Sequence, residues 1–266
     1  MTTNVEKIQS SDQDDNVKVM YSAVNDELGG RYQPFLNYGY FYKDKLKRIE
    51  RLDSIDAQFE ISAQLYHYVT SATTIAKKDV LEVGSGRGGG SYYMKKYMNA
   101  NSVLGLEYLQ QSVDISKRTF KIDGLDFIEG NAEHLPLSNE SIDVVVNIES
   151  SHCYPNIDQF FSETQRVLKA GGSFCYADLT TPEQRDEINE KLKRLSMKVI
   201  ISEDISPNVI ESLRQDNSRK VELINDMSLS KARADWWLNE WACVETPLWH
   251  QLNEGSLVYT RWALLK

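Results

Sequence analysis

Short apolar runs alternate along the chain with stretches in which apolar positions recur every three or four residues, and this alternation predicts an α/β fold. Val80, Leu81 and Val83 mark a buried parallel strand, and further strands are expected at 102–107, 125–128, 142–148, 173–178, 197–202 and 257–265. The run from Ile142 to Ile148 is almost wholly apolar, which places it mid-sheet with both faces covered. Helical spacing predicts helices at 16–28, 51–71, 91–98, 110–120, 158–169 and 183–196, with Gly29-Gly30 and Gly171-Gly172 as stops. Between 206 and 243 the alternation breaks: two helical stretches follow each other, the second carrying Trp236, Trp237 and Trp241, and together they read as a cap over the sheet edge.

This pattern divides the chain into a polar, disordered tail at 1–15, N-terminal helices with an aromatic lid at 16–78, a core at 79–205, the helical cap at 206–250 and a final core strand at 251–266. A length of 266 residues suffices for one large domain with a cap. The net charge of -9 argues against nucleic acid or an anionic membrane as the main partner. No apolar stretch is long enough to span a bilayer, and the start lacks the apolar segment of a signal peptide, so a cytoplasmic protein without stable membrane insertion is expected. Cys153, Cys175 and Cys243 are odd in number and share no metal-like spacing, so they are expected to be reduced thiols, and no metal is expected.

Candidate chemistry gathers where the first strand opens into glycines. Gly84, Gly86 and Gly88 allow a sharp turn that approaches a ligand closely, and a helix follows directly. Gly84, Gly86 and Gly89 also satisfy G-x-G-x-x-G, so a dinucleotide site is a rival reading, as is a tight turn without a ligand. Glu82 shifts the balance: a carboxylate in an apolar strand needs donors, and just below the turn it would face a cationic ligand and repel a pyrophosphate. Glu107 ends the second strand, about where such sheets present a carboxylate to a ribose diol. Asn131 and the backbone N–H of Ala132 suit an adenine edge. The loop from Glu149 to Pro155 leaves the fourth strand at the same carboxyl edge, where catalytic groups collect.

Glu82-Val-Gly-Ser-Gly-Arg-Gly88, the strand-end Glu107, Gly130-Asn-Ala-Glu-His-Leu-Pro136 and Val167-Leu-Lys-Ala-Gly-Gly172 together resemble the class I S-adenosylmethionine-dependent methyltransferases, over about 79–178. The Glu149-Ser-Ser-His-Cys-Tyr-Pro155 loop is similar to that of the lipid and polyketide branch, which includes the phthiotriol and phenolphthiotriol dimycocerosate O-methyltransferases. The resemblance implies a Rossmann-like sheet of seven mostly parallel strands with helices on both faces and an antiparallel hairpin at one edge. It implies S-adenosyl-L-methionine as cofactor, with Gly84, Ser85 and Gly86 against its methionine part, Glu82 near its amino end and Glu107 on the ribose hydroxyls. Asn131 and Ala132 would contact adenine with Tyr108 and Glu133 beside them, and Asn147, Ile148 and Glu149 would back the sulfonium. Many members carry Asp where this chain has Asn131; the amide still offers an acceptor.

For a hydroxyl acceptor the protein must also remove a proton, and His152 stands where a base is needed. A histidine that caps a helix or bonds a carbonyl is the competing reading. C- or N-methylation, a cofactor-binding scaffold or non-methylating enzyme on the same fold, and a nucleotide-dependent oxidoreductase remain open as alternatives. The aromatic segment from Tyr32 to Tyr42 and the tryptophan-bearing cap point to a small apolar, polyketide- or lipid-like acceptor, touched by Tyr38, Tyr40, Tyr154 and Trp237. Cap surfaces of this sort also form homodimer contacts.

Overall fold

The computed structural model of the protein describes residues 10–44, 49 and 52–266. Among these the strands are β1 (Asp79–Val83), β2 (Ser102–Glu107), β3 (Leu125–Glu129), β4 (Ile142–Ile148), β5 (Leu168–Thr180), β6 (Lys198–Asp204) and β7 (Val258–Leu265). They form a seven-stranded sheet in the order β3-β2-β1-β4-β5-β7-β6. β1 to β5 pair in parallel, while β7 runs antiparallel between β5 and β6. The strand order reverses beside β1, where its two parallel neighbours β2 and β4 diverge, and this opens a crevice at the carboxyl edge.

Helices α1 (Ser10–Leu28), α2 (Glu60–Thr70), α3 (Gly89–Lys96), α4 (Gln110–Thr119), α5 (Ile157–Val167) and α6 (Pro182–Lys193) follow in chain order, then α7 (Ser206–Asp226), α8 (Lys231–Glu240) and α9 (Pro247–Glu254). Strand alternation divides the core between the two faces. Val80 and Val144 face one apolar cluster with Leu65, Val69 and Met94. Leu81, Val83 and Val145 face the other, with Phe160, Phe161 and Trp262. β7 earns its place between β5 and β6 through bulk: Trp262 is fully buried and stacks on Tyr176 with ring centroids 4.7 Å apart.

The sheet is as expected, and the differences lie at element ends. α1 begins at Ser10, so 10–15 are helical rather than disordered; 1–9 lie outside the described residues. The helix expected over 51–71 is confined to α2, preceded by a short 3₁₀ turn at Ala57–Phe59, and its expected start at Arg51 lies outside the described residues. Asp56 explains the interruption: its buried carboxylate accepts from the hydroxyls of Tyr32, Tyr97 and Tyr92 at 2.7, 2.6 and 3.1 Å and pairs with Lys96. Those four donors fix the segment in a form that a continuous helix could not supply. Gly171-Gly172 do not stop α5, which ends at Val167; they lie in an extended bulge of β5, where Leu168 pairs with Ile142 and Ser173 with Val144. A third cap helix, α9, carries the cap to Glu254, past the boundary at 250 expected from the sequence. No described helix is long and apolar enough to cross a membrane.

Candidate active site

β1 leads into a turn in which Gly84, Gly86 and Gly88 take φ of +74°, +53° and +83°, values that a side chain disfavours. The N–H groups of Gly84 and Ser85 donate to the Leu106 carbonyl at 2.9 and 3.1 Å, fastening the turn to β2. Glu107 at the end of β2 accepts from Gly86 N–H at 2.7 Å with one oxygen and from Tyr108 and Leu109 N–H at 2.9 and 3.2 Å with the other. Burial raises its pKa and the three amides work against that shift.

Around this turn lies a cavity of about 220 Å³. Its floor and walls include Gly84, Ser85, Gly86, Glu107 and Tyr108 from β1 and β2, and Asn131, Ala132 and Glu133 from the turn after β3. Asn131 Oδ1 accepts from Glu133 N–H at 2.8 Å, which shapes that turn and leaves a second lone pair free for another donor. From the edge of β4 come Ile148, Glu149, His152 and Tyr154. Tyr38 and Trp237 close the opposite side.

Three expected residues stand elsewhere. Glu82 does not line the cavity: strand alternation puts it on the face covered by α2 and α3, where it accepts from Tyr66 Oη at 2.7 Å and from Ser91 Oγ. Burial pushes its pKa up to about 7, against those two hydroxyls. Asn147 is fully buried beneath the catalytic-edge loop; its Nδ2 donates to Val83 O at 2.9 Å and contacts Ser150 Oγ and Tyr154 Oη. Tyr40 lies outside the cavity, stacked on Tyr68 with centroids 4.1 Å apart.

Glu149 is one of the acids that the cavity does present. Held at φ +51°, it accepts from Tyr38 N–H and Tyr259 Oη, both at 2.8 Å. Burial pushes its pKa up to about 7, with the two donors opposing. Beside it, His152 Nδ1 meets Asp178 Oδ1 at 2.7 Å, while the His152 N–H donates to Asp178 Oδ2 at 3.0 Å and Ser151 Oγ donates to the same oxygen at 2.5 Å. Asp178 is fully buried. Burial works to depress the His152 imidazolium, but the Asp178 charge and hydrogen bond outweigh it and hold the pKa well above the ordinary histidine value.

The pairing of His152 with Asp178, the last residue of the strand expected at 173–178, is not readable from the sequence. Also unforeseen are the cavity contacts of Val17, Met20, Tyr21 and Val24 on α1. Their spacing of three, four and seven residues was a visible amphipathic signal. Arg87 ties this lid to the glycine turn, donating to Asn25 Oδ1, Gln33 O and Arg31 O at 2.9, 2.9 and 3.2 Å.

The site fits a cationic nucleoside cofactor better than a dinucleotide. Among the described residues lining the cavity, Glu107, Glu133, Glu149 and Glu240 are acids, whereas the guanidinium of Arg87 is committed to the lid. A pyrophosphate would meet repulsion there and a sulfonium would not. Ser85 Oγ is buried at this wall without a hydrogen-bond partner among the described residues, and a Cβ on Gly86 would meet nothing nearer than Leu36 Cδ1 at 4.0 Å, so the turn offers both an unused polar atom and open space. Among the described residues no group of three or more His, Cys, Asp or Glu is arranged to hold a metal ion.

The sheet order with its reversed β7, the glycine turn and the strand-end carboxylate define a Rossmann-like methyltransferase domain. Residues 81–176 match the family model described as "Methyltransferase domain". The phthiotriol/phenolphthiotriol dimycocerosates methyltransferase of Mycobacterium tuberculosis is 31% identical over 205 residues, covering 77% of this chain and 75% of the relative. The fatty-acid O-methyltransferase of Mycolicibacterium smegmatis is 32% identical, covering 94% of this chain and 89% of the relative. Among solved structures, the [4+2]-cyclase SpnF superposes with a TM-score of 0.72 at 19% identity, covering 94% of both chains. The geranyl diphosphate C-methyltransferase of Streptomyces coelicolor A3(2) gives 0.66 at 16% identity, covering 95% of this chain and 97% of that one. The chain belongs to the S-adenosylmethionine-dependent methyltransferases.

Proposed function

We propose that the protein methylates a hydroxyl oxygen of a small, apolar, lipid- or polyketide-like acceptor, with His152 as the base. The observation that carries this reading is the 2.7 Å contact of His152 Nδ1 with the buried Asp178, which orients the ring of a residue that lines the cavity and leaves Nε2 as the nitrogen not held by Asp178. Asp178 holds the Nδ1–H tautomer and stabilises the imidazolium formed when Nε2 takes the acceptor's proton. S-adenosylmethionine, when bound, supplies an electrophilic methyl group that passes to the acceptor oxygen as its bond to sulfur breaks. Gly84, Ser85 and Gly86 would hold its methionine part, Glu107 its ribose hydroxyls, and Asn131 and Ala132 its adenine, with Tyr108 and Glu133 beside them. Ile148 and Glu149 would lie near the sulfonium. Glu82 and Asn147 take a different role: they hold α3 and the 149–155 loop in place from behind.

The acceptor side is supported by Val17, Met20, Val24, Trp236, Trp237 and Trp241, an apolar wall under α1 and α8. The relatives are named for phthiotriol-type lipids and fatty acids, in keeping with such a wall. We extend the proposal to a cytoplasmic enzyme, consistent with three free cysteines. Incubation with methyl-labelled cofactor and a long-chain alcohol or alkylphenol is expected to place label in an ether. Label confined to the matching amine, or to no acceptor in the presence of bound cofactor, would sink O-methylation.

Glu107 gives a separate check on the cofactor assignment. Glu107→Ala removes a charged acceptor and releases three backbone amides, so it is expected to weaken S-adenosylhomocysteine binding about ten- to a hundredfold in calorimetry. An unchanged dissociation constant would take the ribose contact away from Glu107.

A further inference from the structure

The cavity's apolar half carries one carboxylate to which the reading above gives no task. Glu240, the last residue of α8, lines the cavity together with His152, and its backbone carbonyl accepts from Tyr38 Oη at 2.9 Å. Its side chain is half-buried. Burial raises its pKa, with His152 and Arg233 pulling it back.

The charges around it are one-sided. Glu107, Glu133, Glu149 and Glu240 all line the cavity, and the cations that line it among the described residues are committed: Arg87 to the lid, His152 to Asp178. Cations behind the wall are committed as well. Lys220 is buried and donates to the Trp241 carbonyl at 3.2 Å, and Arg233 binds the Glu27 carboxylate at 2.7 Å while stacking on Trp236. Lys18 sits over the Tyr108 ring at 4.2 Å. An anionic acceptor at this end would therefore meet the Glu240 carboxylate and gain only the His152 ring, whose positive charge Asp178 already offsets. A hydroxyl, by contrast, can donate its proton to Glu240, or to His152 once the ring is neutral.

We propose that Glu240 is a specificity-determining residue that excludes carboxylates and other anionic groups from the His152 end of the cavity, so that the acceptor presents an uncharged hydroxyl. The inference rests on the O-methylation reading and narrows it. It sets this site against free fatty acids and against diphosphate-bearing molecules alike.

The test uses the full chain saturated with S-adenosylhomocysteine for binding, and with labelled cofactor for turnover, against 1-dodecanol and dodecanoate. Wild type is expected to bind dodecanol about tenfold or more tightly than dodecanoate at neutral pH. Glu240→Gln is expected to shrink that ratio by raising dodecanoate affinity, and Glu240→Lys to reverse it, with circular dichroism confirming that both variants are folded. Equal or tighter binding of dodecanoate by wild type, or a ratio unmoved in folded Glu240→Gln, overturns the inference. If label passes to dodecanoate in preference to dodecanol, hydroxyl selection falls and O-methylation stands. If neither ligand binds or takes label, the O-methylation reading itself falls and takes this inference with it.

Discussion

Replacing His152 by alanine is expected to lower turnover about 10²- to 10⁴-fold, the range of a positioned general base, while S-adenosylhomocysteine binds as before. The second half of that expectation follows from placement: His152 stands on the loop after β4, and the turn that fastens Glu107 to Gly86 does not involve it. The wild-type pH profile carries further information. Because Asp178 holds the imidazolium pKa well above the ordinary histidine value, the ring keeps its proton to higher pH than an ordinary histidine and must lose that proton to act as a base. The rate is therefore expected to climb with pH through that raised pKa and level off above it. Asp178→Asn removes the charge that lifts the pKa, so the rising limb should move to lower pH while the plateau drops, since the amide can hold the wrong tautomer. A limb that stays in place in Asp178→Asn, or turnover in His152→Ala equal to wild type, removes the pair from the mechanism. A merely structural histidine would change stability without moving that limb.

Three carboxylates in and behind this site, Glu107, Asp178 and Glu82, show how far the chain's order carries and where it stops. Glu107 was legible because a strand end and a glycine turn are local features, and their spacing along a βαβ unit is fixed by the fold. Asp178 ends the strand expected at 173–178 but is not legible as a partner, since it stands 26 residues from His152 and meets it only because β5 lies beside β4. Glu82 was misread for a subtler reason. The alternation that buries Leu81 and Val83 on one face sends Val80 and Glu82 to the other, so the sequence did hold the answer, but Tyr66 and Ser91, which satisfy the acid there, come from two different helices. Trp237 on α8 and Trp241 at its C-terminal cap, four residues apart in a stretch expected to be helical, pack edge to face at 4.8 Å; that they also close the cavity depends on α8 folding back over α1. α9 was missed although Pro247 and Gly255 are good start and stop signals, because eight residues between them leave too little periodicity to recognise.

Gly84→Ala is expected to damage both the fold and cofactor binding, and comparison with Gly86→Ala separates the two effects. At Gly84 a side chain is opposed twice: φ is +74°, and the added Cβ would lie on Ser150 Oγ, 2.6 Å from Ser150 Cβ and 3.0 Å from Tyr154 Oη. Ser150 cannot yield freely, since its hydroxyl bonds Tyr154 Oη at 2.7 Å and Asn147 Nδ2 at 2.8 Å, so the displacement spreads into the loop that carries His152. Overpacking of this kind costs about 1–3 kcal/mol, and the backbone conformation adds about 1 kcal/mol more. At roughly 2–4 °C per kcal/mol for a chain of this size class, the melting temperature should fall by several degrees. Gly86 has φ +53° but faces open space, so its alanine variant should bear the backbone cost alone while the new methyl intrudes on the cavity. Calorimetry is then expected to find binding of S-adenosylhomocysteine weakened in both variants, with the larger thermal shift in Gly84→Ala. Adding Ser150→Gly to Gly84→Ala removes the obstructing atoms and should recover the steric part of the stability loss but not the conformational part, an interaction readable as non-additivity. Full additivity of the two substitutions would show that Ser150 is not what holds the turn against a side chain.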